Sequence, residues 1–130
     1  MRGTLHVVGF GPGGKDHMTF KAYETMANAD VVVGYTTYVK MVQPLFPGQE
    51  FMSSGMTKEI DRCRMAIEVA MTGKDVAMIS SGDSGIYGMA GAVYQLVDEM
   101  KADIDVDVVP GITAACTAAS ILGAPLMHDF

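Results

Sequence analysis

Short, uniformly apolar runs alternate along this chain with longer stretches in which apolar residues recur every three or four positions. Leu5-His6-Val7-Val8, Val31-Val32-Val33 and Val76-Ala77-Met78-Ile79 are the runs. Each predicts a strand, the first ending at Gly9 and the second at Gly34, and the second is too uniformly apolar for an edge, which places it inside a parallel sheet. Between the runs, Phe20, Tyr23, Met26 and Ala27 form one helical stripe, with Thr19 as its N-cap. Ile60, Cys63, Ile67, Ala70 and Met71 form a second, capped by Thr57 and stopped at Gly73. Ile86, Met89, Val93, Val97 and Met100 form a third. Tyr38 to Val42 predicts a short helix halted before Pro44 and Pro47, and Glu50-Phe51-Met52 a short strand. Ile104-Asp105-Val106-Asp107-Val108 alternates apolar with acidic residues, the mark of an edge strand whose charges discourage edge-to-edge pairing. Ile112 to Leu122, rich in Ala, predicts a closing helix. Strands alternating with helices predict an α/β fold: an open, mostly parallel sheet of about five strands with helices on both faces.

Composition narrows the setting. The 130 residues suit one domain, and 49% hydrophobic with 18% charged residues excludes disorder. A net charge of -6 argues against a nucleic-acid partner. It also argues against a polyanionic substrate, unless basic groups are concentrated locally or lie on another domain. Val108 to Met127 carries no charge, yet its prolines, glycines and hydroxyl residues fit a strand end, loop and small-residue helix better than a membrane span. Cys63 and Cys116 read as buried free thiols. Twelve methionines, no disulfide framework and no visible signal peptide suit a cytoplasmic protein. The ending Met127-His128-Asp129-Phe130 has no closing element and reads as a cut at a domain boundary, with residues 1–130 forming an N-terminal domain.

Candidate chemistry gathers where strands end. Ile79-Ser80-Ser81-Gly82-Asp83-Ser84-Gly85-Ile86-Tyr87-Gly88, Gly9-Phe10-Gly11-Pro12-Gly13-Gly14 and Pro110-Gly111-Ile112-Thr113-Ala114 each follow a predicted strand. Glycine-rich loops at the carboxyl ends of strands are where open α/β sheets bind ligands, and glycines let the backbone approach closely. One such loop is ordinary turn chemistry; three on one sheet edge would face one crevice and predict a small-molecule site. Gly9, Gly11 and Gly14 satisfy the dinucleotide pattern weakly, because Pro12 removes an N–H, the helix starts only near Thr19, and Asp30 precedes its strand. The loops hold no Lys or Arg and one carboxylate, Asp83, which suits an adenosine carrying an amino acid and a sulfonium better than a phosphate. His6, His17 and His128 lack metal-ligand spacing, so no protein-bound metal is expected, and His6 reads as a satisfied strand residue. Asp61, Arg62 and Arg64 read as a solvated helix face. Tyr35 and Tyr38 leave two readings open: a cover over a flat aromatic substrate, or packing.

Together the three loops resemble those of the tetrapyrrole methylase family, S-adenosylmethionine-dependent enzymes of corrin and sirohaem synthesis. Val8-Gly9-Phe10-Gly11-Pro12-Gly13, Ser81-Gly82-Asp83-Ser84-Gly85-Ile86-Tyr87-Gly88 and Val109-Pro110-Gly111-Ile112-Thr113-Ala114-Ala115 carry the resemblance. Ser80 to Ala90, Leu122 to Phe130, and Gly34-Tyr35 with Tyr38-Val39 are most similar to the branch that methylates C17 of a precorrin and contracts its ring. The resemblance implies a two-domain fold with the methyl donor in the cleft between the domains, a tetrapyrrole substrate, and commonly a homodimer. It implies donor contacts from Gly11, Pro12, Ser81, Gly82, Asp83, Ile86, Tyr87, Thr113 and Ala114. Ser84 departs from the proline or other small residue of relatives. Gly34-Tyr35-Thr36 stands where some relatives place an acidic proton acceptor, so no general base is carried over. Three alternatives stay open: another methylase of the family, a donor-binding half inactive alone, and a non-catalytic nucleotide-binding module.

Overall fold

A computed structural model describes residues 2–10, 18–55, 59–80 and 89–111. Among the described residues five strands form one sheet: β1 (Thr4–Gly9), β2 (Val31–Tyr35), β3 (Phe51–Ser54), β4 (Asp75–Ser80) and β5 (Asp105–Val109). Helices α1 (Phe20–Asn28), α2 (Thr36–Val42), α3 (Glu59–Met71) and α4 (Met89–Met100) connect them, with a 3-10 turn over Gln43–Leu45. All four strand pairings are parallel, and the order is β3-β2-β4-β1-β5. The expected α/β architecture is therefore present, with β2 interior and β5 at an edge.

The apolar runs are explained by burial on both faces. Leu5, Val7, Val31, Val33, Val76 and Met78 point to the face covered by Cys63, Ile67 and Ala70 of α3 and Ala90, Val93 and Leu96 of α4. Val8, Val32, Ala77 and Ile79 point to the other, with Ala22 and Met26 of α1 and Val39 and Val42 of α2. Polar groups are answered at the amino edge. Asp30 accepts from Asp75 N at 2.8 Å and donates its own N–H to Asp75 O, also at 2.8 Å, tying β2 to β4. Arg2 bonds Asp103 and Asp105, and His6 Nδ1 lies 2.9 Å from Asp107 Oδ2, so the two strand acids meet partners on and beside β1.

Thr19 caps α1 as expected, its Oγ1 accepting from Ala22 N at 3.0 Å. Gly73 ends α3 at φ +96°, a left-handed turn that glycine takes without strain. Thr57, Ile86, Cys116 and the helix expected from Ile112 lie outside the described residues. Three sequence expectations need correction. The stripes of α1 and α3 are narrower than predicted: Phe20 is 79% exposed, Ile60 51% exposed, and Ala27 and Met71 are also exposed. Phe20 and Ile60 occupy first turns and Met71 is the last residue of α3, so these exposed apolar side chains fall at helix ends. Gly34 does not end β2, which runs on through Tyr35. Gly34 is there because a Cβ would sit 2.6 Å from Ile79 Cγ1, in the contact between β2 and β4. Arg62 is half-buried rather than solvated. Among the described residues no helix is long and apolar enough to cross a membrane.

Candidate functional site

The three glycine-rich segments follow in sequence on strands that are neighbours. β4, β1 and β5 lie side by side, and their carboxyl ends stand level: Gly9 pairs with Ser80, and Val8 with both Ile79 and Val109. Phe10 N extends the ladder by donating to Ser80 O at 3.0 Å. The connections after β1 and β4 then diverge. β1 leads to α1 on one face, while β4 leads to α4 on the other. Two adjacent parallel strands whose connections part to opposite faces define the switch point where open α/β sheets form their ligand crevice. The nine residues expected at the donor, Gly11, Pro12, Ser81, Gly82, Asp83, Ile86, Tyr87, Thr113 and Ala114, lie outside the described residues. The described strand ends that precede them in sequence, Gly9, Ser80 and Val109, lie at one sheet edge.

Ser80 closes β4 with its Oγ buried and, among the described residues, without a hydrogen-bond partner. A buried hydroxyl is costly to leave unpaired. At the switch point it is a polar group available to a ligand or to the segment that follows. The sequence places Ser80 at the head of the glycine-rich segment but does not single it out among the expected donor contacts. Its position as the last strand residue before a glycine-rich segment was the signal in the sequence.

Along the same edge, aromatic rings run outward from β1. Buried Phe10 meets Tyr38 edge-on at 5.5 Å, and Tyr38 meets Tyr35 edge-on at 5.3 Å. Such geometries are favourable for ring quadrupoles. Tyr38 is thus held by packing on both sides, while Tyr35 ends the row. Arg62 lies over Tyr35, its Cζ 5.6 Å from the ring centroid. Its Nη1 donates to Ser54 Oγ at 3.2 Å and to Gly55 O at 3.0 Å, at the carboxyl end of β3. Thr36 Oγ1 also donates to Ser54 O, at 3.1 Å, so β2, β3 and α3 are tied together at this corner. Sequence reasoning missed Arg62 because helical periodicity placed it off the apolar stripe. The topological signal was present: a helix that follows a parallel strand starts at the strand's carboxyl end, so its first turns border the site.

Residues 4–130 match the model of the family described as Tetrapyrrole (Corrin/Porphyrin) Methylases. The chain is 52% identical over 126 residues to a protein of Salmonella typhimurium named "Probable cobalt-factor III C(17)-methyltransferase", covering 97% of this chain and 52% of the relative. The crystal structure of the methyltransferase CobJ superposes with a TM-score of 0.86 at 37% identity, covering 98% of this chain and 54% of that one. A uroporphyrin-III C-methyl transferase from Thermus thermophilus, complexed with S-adenyl homocysteine, superposes with a TM-score of 0.73 at 28% identity, covering 98% and 51%. The chain spans about half the length of each of these three proteins.

Proposed function

The chain belongs to the tetrapyrrole methylase family, and on that premise we propose that it forms the N-terminal, donor-binding domain of a precorrin-3B or cobalt-factor III C17-methyltransferase. The observation that carries this is the level ending of β4, β1 and β5 with connections diverging between β1 and β4. In that reading Gly11 and Pro12, Ser81 to Asp83, Ile86 and Tyr87, and Thr113 and Ala114 hold S-adenosylmethionine. Three features fit such a donor: the Ser80 hydroxyl, unpaired among the described residues, the absence of Lys and Arg from the three segments, and one carboxylate within them, Asp83. A sulfonium cation is favoured where no fixed cation competes. Phe20 and Ile60, both exposed in first turns at the carboxyl edge, support a second domain closing over this end.

The donor supplies an electrophilic methyl group on a sulfonium. This chain's contribution is to orient and to exclude water. Methyl transfer requires the carbon nucleophile, C17 of the macrocycle, in line with the S–CH3 bond. Holding two reactants in such a geometry lowers a barrier by up to about 7–11 kcal/mol. Backbone donors and acceptors around the glycines fix the donor at the switch point. The half-buried rings of Tyr38 and Tyr35, backed by buried Phe10, offer a border for a flat ring. Ring contraction also moves protons, and Asp83 is the carboxylate nearest the proposed donor site in sequence.

The test is incubation of the complete natural protein that carries residues 1–130 with S-adenosylmethionine and cobalt-factor III or precorrin-3B. Mass spectrometry and NMR are expected to show one added methyl group, at C17, on a contracted ring. Methylation at another carbon would place the chain with a different member of the family. No transfer to any tetrapyrrole, with binding of adenine nucleotides in preference to S-adenosylhomocysteine, would overturn the proposal.

A further inference from the structure

We infer that Arg62 is a substrate-binding cation: its guanidinium, seated on Tyr35 at the carboxyl corner of β2 and β3, receives a peripheral carboxylate of the tetrapyrrole. This rests on the methyltransferase reading of the same sheet edge.

A flat macrocycle fringed with carboxylates presents two needs, an apolar border for the ring and a cation for the fringe. The chain as a whole is acidic, with net charge -6, so a cation must be placed locally to meet an anionic substrate. Among the described residues, Arg62 is the basic side chain that hydrogen bonds and a ring contact fix to the carboxyl edge. Arg2 is spent at the amino edge on Asp103 and Asp105, and Arg64 faces Asp61 at 3.9 Å.

Arg62 has no carboxylate partner among the described residues. Both of its hydrogen bonds there leave from Nη1 and end on neutral oxygens, Ser54 Oγ and Gly55 O. Those bonds and the Tyr35 ring fix the plane of the guanidinium. Nε and Nη2 keep donors for a bidentate grip on a carboxylate. An arginine held by neutral acceptors and an aromatic face keeps its full charge for a ligand, whereas one held by a carboxylate does not. Location agrees. From β4, at the switch point, to β3 is two strand spacings, roughly 10 Å, about the breadth of a tetrapyrrole ring. A ring lying beside the donor along Tyr38 and Tyr35 therefore brings its fringe to Arg62.

The experiment uses the complete natural protein, with uroporphyrin III, a polycarboxylate tetrapyrrole, as probe, followed by visible absorbance. S-adenosylhomocysteine binding is measured alongside by calorimetry. Arg62→Met is expected to raise the uroporphyrin dissociation constant about tenfold and to leave that for S-adenosylhomocysteine unchanged. Arg62→Lys, which keeps the charge but loses the fork and the stacking, is expected to recover part of the loss. Added salt weakens binding to the wild type more than to Arg62→Met. Ser54→Ala removes one tether without changing charge, and separates a damaged corner from a lost cation: near-wild-type binding there supports the inference. Equal uroporphyrin binding by wild type and Arg62→Met overturns it, as does a wild type that binds no uroporphyrin. A wild type that fails to bind S-adenosylhomocysteine overturns instead the donor-site reading on which it rests.

Discussion

Cys63 illustrates how one residue's chemistry follows from its place. It lies fully buried under the sheet, its Sγ 3.7 Å from Met89 Sδ. Burial pushes the thiol up to about 11, Glu59 adds to the shift and Arg62 opposes it. The folded chain therefore keeps a proton that the unfolded chain releases near the ordinary value of 9.0. Stability contributed by the neutral thiol is complete below that value and is lost as pH rises through about 11. Urea unfolding of wild type and Cys63→Ala at about pH 8 and about pH 10 checks this, since the pH-dependent drop should be larger in the wild type by on the order of 1–2 kcal/mol. Equal drops would assign the alkaline sensitivity to other groups. The buried thiol was legible from sequence, because Cys63 falls on an apolar stripe. Arg62, its neighbour in sequence, was not. Its position off the stripe predicted solvent, and only the arrival of Tyr35 and Ser54 from other strands makes it part of a site.

At the scale of elements, local signals served where the physics is local. Thr19 satisfies an orphan N–H of α1 within three residues, and Gly73 supplies the positive φ that stops α3. Both were readable from residue type and offset. Thr19→Ala is expected to destabilise the protein by about 1 kcal/mol, measured by thermal or urea unfolding, with Thr19→Ser close to wild type. A loss several times larger would mean that Thr19 does more than cap. The stripes were less legible. Periodicity gives the angle of a helix's apolar face but not how far along the helix the covering partners extend, so Phe20 and Ile60 read as core although both first-turn side chains are exposed. Gly34 was misread for a related reason. Glycine after three valines reads as punctuation, and the crowding by Ile79 that requires it comes from a strand more than forty residues away in sequence.

For the whole molecule, sequence spacing gave the elements and their alternation, and the acids of β5 gave an edge, but strand order is a long-range property. That β1 lies between β4 and β5 is written in no local pattern. Yet that order turns three separate glycine-rich segments into neighbours and sets the connections of β1 and β4 on opposite faces. It also makes a spatial prediction independent of any catalytic assay. Titrating S-adenosylhomocysteine into the complete natural protein should shift the amide resonances of Gly9, Phe10, Ser80 and Gly111, at the carboxyl edge. Those of Gly3, Asp75 and Asp105, at the opposite ends of the same strands, should stay fixed. Because the sheet is parallel throughout, each strand carries its own internal control. A ligand at the switch point perturbs one end of every strand it touches, whereas a global change on binding would move both. Shifts concentrated at the amino edge would put the donor on the wrong side of the sheet and remove the basis for both the donor site and the role of Arg62.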